Sequence, residues 1–208
     1  MRRNRRYKGI VIGVTGGMGT GKTTVSKMLA EISGAKVLDA DSIAHRYLKR
    51  GTRTYRDIVT LFGKDILVKG KISRRLLSKK VFSSGCLLRI LQAIVHPEVI
   101  EFIDRELTRT KRRTYPAVII DAPLLIEASL HKVVDYVIVV VASRKNQLAR
   151  SKRRGSISRS EIVRRTKMQI PLSKKKKLAD FIIDNNGSRS NAKKEVKKIW
   201  RDMCLRKK

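Results

Sequence analysis

TGGMGTGKTT, Thr15 to Thr24, is the stretch on which the fold turns. Gly16 through Thr23 satisfy the pattern G-x-x-x-x-G-K-[ST] in full, and that pattern carries weight only after a strand and before a helix. Both flanks are present. Residues 7–14 (YKGIVIGV) are a short run rich in β-branched apolar side chains, and Val25, Met28, Leu29 and Ile32 recur on one helix face, predicting a helix over 22–33. Glycines allow positive φ and close backbone approach, so successive N–H groups can ring an anion at the helix N-terminus. In such a loop Lys22 reaches the outer phosphates of a nucleoside triphosphate, and the Thr23 hydroxyl is a ligand for Mg²⁺. The alternative is a glycine-rich turn that matches by chance, which would have to bring strand, loop and helix into register as well. Nucleoside triphosphate binding follows; the fate of the phosphate does not.

Outward from the loop, the helix stops at Ser33-Gly34 and AKVLDAD (35–41) reads as a second strand ending in acids. A βαβ opening favours a parallel sheet with right-handed crossovers. AVIIDAP (117–123) and DYVIVVVAS (135–143) are unbroken apolar runs, as parallel strands covered on both faces require, and DFIIDN (180–185) is a fifth strand. The predicted fold class is α/β: a P-loop nucleoside-triphosphate hydrolase fold with a five-stranded parallel sheet flanked by helices. Residues 41–113 read as helical throughout, punctuated by turns at Gly51, Gly63, Gly70, Gly85 and Pro97, so they form an insertion rather than a single crossover. Residues 144–177 are strongly basic, with helical stretches on both sides of Gly155; their KKKK run (174–177) reads as a solvated helix end or turn. Residues 190–205 are a terminal amphipathic helix with Val196, Ile199, Trp200 and Met203 on one stripe.

Composition sets the outer limits. The 208 residues carry 50 Lys+Arg against 17 Asp+Glu, a formal net charge of +33, yet 41% are hydrophobic and cluster in element-like runs. That combination excludes a disordered polycation, and the length excludes a multi-domain array. The charge is uneven, with 23 basic against five acidic residues in 144–208. Such a face attracts polyanions of any kind through a field that salt screens. A basic P-loop protein that binds RNA or ribosomes is therefore a reading from a different class. Against it, no RNA-recognition motif is present and aromatics are only 5%, with little interleaving in the basic stretch, so no specific nucleic-acid partner is expected. Cys86 and Cys204 have no metal-ligand spacing, which points to free thiols in a reducing compartment. No apolar run reaches the roughly 18 residues that span a bilayer. The opening MRRNRRYKGIVIGV imitates a secretory signal, but its apolar part is about six residues, short of the roughly 7–15 required, so the chain is expected to be cytoplasmic, with no membrane partner.

Ligands of open parallel sheets sit beyond the carboxyl ends of the strands, and acids stand there. Asp39 and Asp41 close the second strand and Asp121 the third. Asp121 occupies the place of a carboxylate near the Mg²⁺ shell. Asp41 is the better candidate to face an acceptor, because a carboxylate can orient a hydroxyl and take its proton late in a loose phosphoryl transfer. For Asp39 and Asp41 the alternative is a helix N-cap pair, since Asp-Ser precedes a helical stretch.

VTGGMGTGKTTVS, LDADSIAH, LFGKDIL, the Val81-Phe82 pair, IVHPEV, DAPLLIE, Gln147-x-x-Arg150 and ADFIIDNNGS, in that order from about residue 9 to 200, resemble the dephospho-CoA kinase family. The glycine loop is common to many ATPases, whereas the later motifs together are specific. The resemblance implies an adenylate-kinase-like fold in which the core is about 7–40, 114–143 and 178–208, the insertion 41–113 binds the acceptor, and 144–177 is a lid. It implies transfer of the ATP γ-phosphate to the ribose 3′-hydroxyl of dephospho-CoA, with ATP and dephospho-CoA as partners and Mg²⁺ as cofactor; another P-loop small-molecule kinase is the runner-up. It places ATP on Gly19, Thr20, Gly21, Lys22, Thr23 and Thr24, makes Asp41 the base or orienting group, has Asp39 support the metal or the acceptor, and sets His96 on the acceptor side. Thr23 and Asp121 then hold the metal, and Arg150 acts with Lys22 on the transferring phosphoryl group. His96 can equally be a packing or capping residue. Arg154, four positions after Arg150, is a second phosphate contact by helical spacing, while the other lid arginines read as a solvated face. Glu127 fixes the loop after Asp121, and Asn185 lies near adenine or simply forms a turn beside Gly187. Ser73 stands where relatives carry an acid.

Overall fold

The structure, a computed structural model, describes residues 7–110, 114–153, 166 and 168–206. The chain divides into one unit of residues 1–39 and 107–208 and a second of Ala40–Glu106.

In the first unit β1 (Ile10–Gly16) leads through the glycine loop into α1 (Lys22–Ser33) and β2 (Lys36–Asp39). After the second unit, which contains β3 (Leu67–Val68) and β4 (Lys71–Ile72), come β5 (Ala117–Asp121), β6 (Tyr136–Val141) and β7 (Phe181–Asp184). The five long strands form one sheet in the order β2-β5-β1-β6-β7, every pair parallel. All seven residues of β1 and all five of β5 are buried, which is why these segments read as unbroken apolar runs rather than alternating ones. α1 ends where its sequence says it should: Gly34 takes the left-handed conformation (φ 67°) and its N–H bonds the Ala30 carbonyl at 2.9 Å. On one face Val25 and Leu29 pack with Ile12, Ile119 and Ile138 and with Val196, Ile199 and Met203 of the terminal helix, Arg189–Arg206. Trp200, on the predicted stripe, is only partly buried against this cluster.

The second unit holds α2 (Ala40–Tyr47), α3 (Arg53–Phe62), the β3–β4 hairpin, α4 (Arg74–Val81) and most of α5 (Gly85–Arg109), around Ile58, Phe62, Ile66, Leu77 and Val81. Thr52 and Ser73 cap α3 and α4, their hydroxyls accepting from the Tyr55 and Leu76 N–H groups at 3.0 and 3.4 Å. Ser73 thus has a structural task of its own as the N-cap of α4.

Three expectations are corrected here. The insertion is not wholly helical: β3 and β4 pair antiparallel through Lys69 and Gly70, whose φ values of 50° and 71° suit a two-residue hairpin turn. Pro97 does not punctuate; it lies inside α5. Its missing N–H frees the Ala93 carbonyl, and both residues are exposed, so water can serve that acceptor. The second strand ends at Asp39, and Asp41 belongs to the first turn of α2.

Candidate functional site

The glycine loop is braced from behind. The Thr20 carbonyl accepts from Asn185 Nδ2 at 2.7 Å and from Arg150 Nη1 at 3.1 Å, while Arg150 Nη2 donates to the Asn185 carbonyl at 2.7 Å. The Thr20 hydroxyl closes the loop on the Gly17 carbonyl at 2.8 Å. With this carbonyl turned to the brace, Gly19 and Gly21 take φ of 74° and 89°. Neither position has room for a side chain: a Cβ on Gly21 would collide with Asn185 Nδ2, and one on Gly19 with the Gln147 carbonyl and Ser151 Oγ. Gly21→Ala therefore meets both a strained backbone and a clash, roughly 1–3 kcal/mol, which is about 5- to 150-fold in nucleotide affinity. A fluorescent-nucleotide titration checks this, with Gly85→Ala, which meets nothing within 4 Å, as the control expected to bind normally.

The carboxyl edge of the sheet carries the charges. β1, β5 and β2 are in parallel register with Val14 opposite Asp121 and Asp121 opposite Asp39, so the two acids end neighbouring strands side by side. Lys22, at the start of α1, forms an ion pair with Asp121 Oδ1. Asp121 is only 1% exposed, and its Oδ2 has no hydrogen-bond partner among the described residues. No group of three acids, histidines or cysteines suited to a metal cage occurs among the described residues. Mg²⁺ does not need one: it takes one or two carboxylates, keeps several waters and shares the phosphates of its substrate. An unpartnered, buried carboxylate oxygen beside the glycine loop, with half-buried Thr23 in the first turn of α1, fits that donor set.

On the other side of the loop lies a cleft of about 320 Å³, lined by Gly21, Thr24, Met28, Arg150, Asn185 and Arg189 among others. Arg150, expected at the phosphates, has Nη1 and Nη2 committed to the two carbonyls above and also borders this cleft. Asn185, which sequence left between a base contact and a turn, is buried and holds the loop through its amide. Arg154 lies outside the described residues. The first unit thus brings Gly19 through Thr24, Asp39, Asp121 and Arg150 together. In the second unit Asp41 is exposed, and His96 is half-buried within α5.

One element of the basic stretch is corrected. The helix Leu172–Lys177 leaves Lys174, Lys176 and Lys177 exposed, but Lys175 is buried at 2%. Its Nζ donates to Glu127 Oε1 and to the Pro123 carbonyl, each at 2.9 Å. Glu127 Oε1 also accepts from the Ile170 N–H at 2.9 Å, so Glu127 does fasten the loop that follows Asp121. Nothing in four consecutive lysines marks the second of them; burial is decided by partners about fifty positions away.

Comparison with known proteins agrees with the motifs. A family model described as dephospho-CoA kinase matches residues 10–191. The chain is 38% identical over 193 residues to a dephospho-CoA kinase of Latilactobacillus sakei, covering 93% of this chain and 95% of that one. Among solved structures, TT1252 from Thermus thermophilus superimposes with a TM-score of 0.79 at 31% identity, covering 94% of this chain and 97% of the other. A dephospho-CoA kinase from Campylobacter jejuni gives a TM-score of 0.65 at 28% identity over 93% of this chain and 96% of its own.

Proposed function

Since the chain belongs to the dephospho-CoA kinase family and is an ATP-dependent kinase acting on dephospho-CoA in coenzyme A biosynthesis, we propose how its own residues divide that reaction. The observation that carries the assignment is the buried Asp121 paired with Lys22 at the mouth of a complete phosphate loop.

Gly19 through Thr24 hold the ATP phosphates with backbone N–H groups, and Lys22 turns from Asp121 to the β- and γ-phosphate oxygens when they arrive. Thr23 and Asp121 would hold Mg²⁺, and its chemistry is to offset charge on those oxygens. Arg150 keeps the loop in shape through Thr20 and Asn185 while its remaining N–H donors serve the nucleotide. Asp41 orients the ribose 3′-hydroxyl; as the oxygen–phosphorus bond forms and the β–γ bridge breaks, the hydroxyl proton passes to its carboxylate and ADP leaves. Asp39 and His96 act on the acceptor side. Residues 41–113 serve as the acceptor domain and 144–177 as the lid, of which 111–113, 154–165 and 167 lie outside the described residues. Exposed, unpaired Cys86 and Cys204 suit a cytoplasmic setting, and no helix among the described residues is long and apolar enough to cross a membrane. The reading is tested by ADP release: it is expected to require both dephospho-CoA and Mg²⁺, and chelation or omission of the acceptor should return the rate to background. Turnover with a different small acceptor and none with dephospho-CoA would overturn it.

A further inference from the structure

We infer that Lys175 is a positioning residue for phosphoryl transfer: its buried ammonium fixes the loop after β5, and with it the Asp121 carboxylate, against β1. The inference rests on Asp121 having the metal-side role proposed above.

Lys175 joins three stretches that are remote in sequence. Its Nζ bonds Glu127 Oε1 and the Pro123 carbonyl, both at 2.9 Å, while Glu127 Oε1 also receives the Ile170 N–H. The Pro123 carbonyl is shared, accepting at 3.2 Å from the hydroxyl of Thr15, a fully buried residue of β1 immediately before the glycine loop. Pro123 lies two residues beyond Asp121, and between them the Ala122 N–H bonds the Val14 carbonyl at 3.0 Å. Asp121 is therefore held on a short tether whose far end is the carbonyl that Lys175 grips, and little slack remains for the carboxylate to drift. Stability alone gives a poor reason for this arrangement. A buried ion pair can often be exchanged for apolar side chains of similar volume without loss, and Glu127 Oε2 is left buried without a partner among the described residues. What apolar side chains cannot supply is a donor to the Pro123 carbonyl.

The test compares Lys175→Met, the double variant Lys175→Met/Glu127→Leu and Asp121→Asn with the wild-type chain. Thermal midpoints, kcat, both KM values and amide hydrogen exchange at Ala122 without nucleotide are measured. Lys175→Met strands a buried carboxylate, so it is expected to lose stability; the double variant removes that charge and should regain the midpoint. Its kcat should nonetheless stay about 10- to 100-fold low, the loss that misplacement of a reacting group by about 1 Å produces, with KM for dephospho-CoA within about twofold. Exchange at Ala122 should be faster than in wild type. If the double variant recovers kcat along with its midpoint, or exchanges Ala122 as slowly as wild type, Lys175 is structural only and the inference falls while Asp121→Asn remains impaired. If Asp121→Asn turns over normally, the metal-side assignment fails and the inference fails with it. Should Lys175→Met not fold, the double variant alone decides.

Discussion

Replacing Lys22 with alanine is expected to lower turnover by roughly 10²–10³-fold or more, the loss typical of removing a charge-stabilising donor from the transition state. It should also destabilise the nucleotide-free protein. Asp121 is 1% exposed and Lys22 is its ion-pair partner, at 12% exposure, so the substitution strands a buried carboxylate. Removing one member of a buried pair costs about 3–5 kcal/mol, and the low end applies to a lysine that still reaches solvent. For a chain of this length that is a thermal midpoint lower by roughly 6–12 °C. The two effects separate in Lys22→Met/Asp121→Asn, where no unpaired charge is left: the midpoint should return most of the way while activity stays lost. A coupled ADP assay and a thermal melt read both quantities. Retention of near-normal turnover in Lys22→Ala would remove the lysine from the phosphate site, whatever the midpoint did.

How much of this could be read beforehand depends on how local the determinant is. The strand, loop and helix around Lys22 were legible because each is specified within a few residues: β-branched apolar runs, glycines at positive φ, an apolar stripe and Gly34 as the stop. The central strands β1, β5 and β6 were legible for the same reason, since near-complete burial makes their sequences apolar without alternation. The β3–β4 hairpin was not, because two-residue strands are too short to show a period. Pro97 misled because proline's effect on a helix depends on whether the freed carbonyl faces water, a property of packing. Motifs singled out Arg150 for the transferring phosphoryl group and Asp121 for the metal, but could not show that Arg150 spends Nη1 and Nη2 on carbonyls of Thr20 and Asn185. Lys175 was invisible, because composition treats four adjacent lysines alike and only contacts with Glu127 and Pro123 distinguish one. Among the described residues much of the positive charge lies on the surface, as along the terminal helix, where Lys193, Lys194, Lys197 and Lys198 are all exposed. The site therefore uses few of the cations that composition brought to notice.

Asp41→Asn is expected to reduce kcat by roughly 10²–10⁴-fold, the range for losing a positioned general base, while nucleotide affinity stays the same. The amide keeps the size of the side chain and still accepts a hydrogen bond through Oδ1, so the acceptor hydroxyl can be oriented; what is lost is the capacity to take its proton. A competing explanation for the acid comes from its place in the fold. Asp41 is exposed in the first turn of α2, where a negative charge complements the helix N-terminus. That role alone predicts a stability change of about 0.3–1 kcal/mol and an almost unaltered rate. The two accounts differ by orders of magnitude in kcat and hardly at all in thermal midpoint, so both must be measured on one preparation. Asp39→Asn is the internal comparison: Asp39 closes β2 in register with Asp121 and lies outside the helix. If Asp39 supports binding while Asp41 handles the proton, Asp39→Asn raises KM and leaves most of kcat, whereas Asp41→Asn does the reverse. A near-normal kcat for Asp41→Asn would leave that residue only its charge at the helix N-terminus and pass the base role to another group.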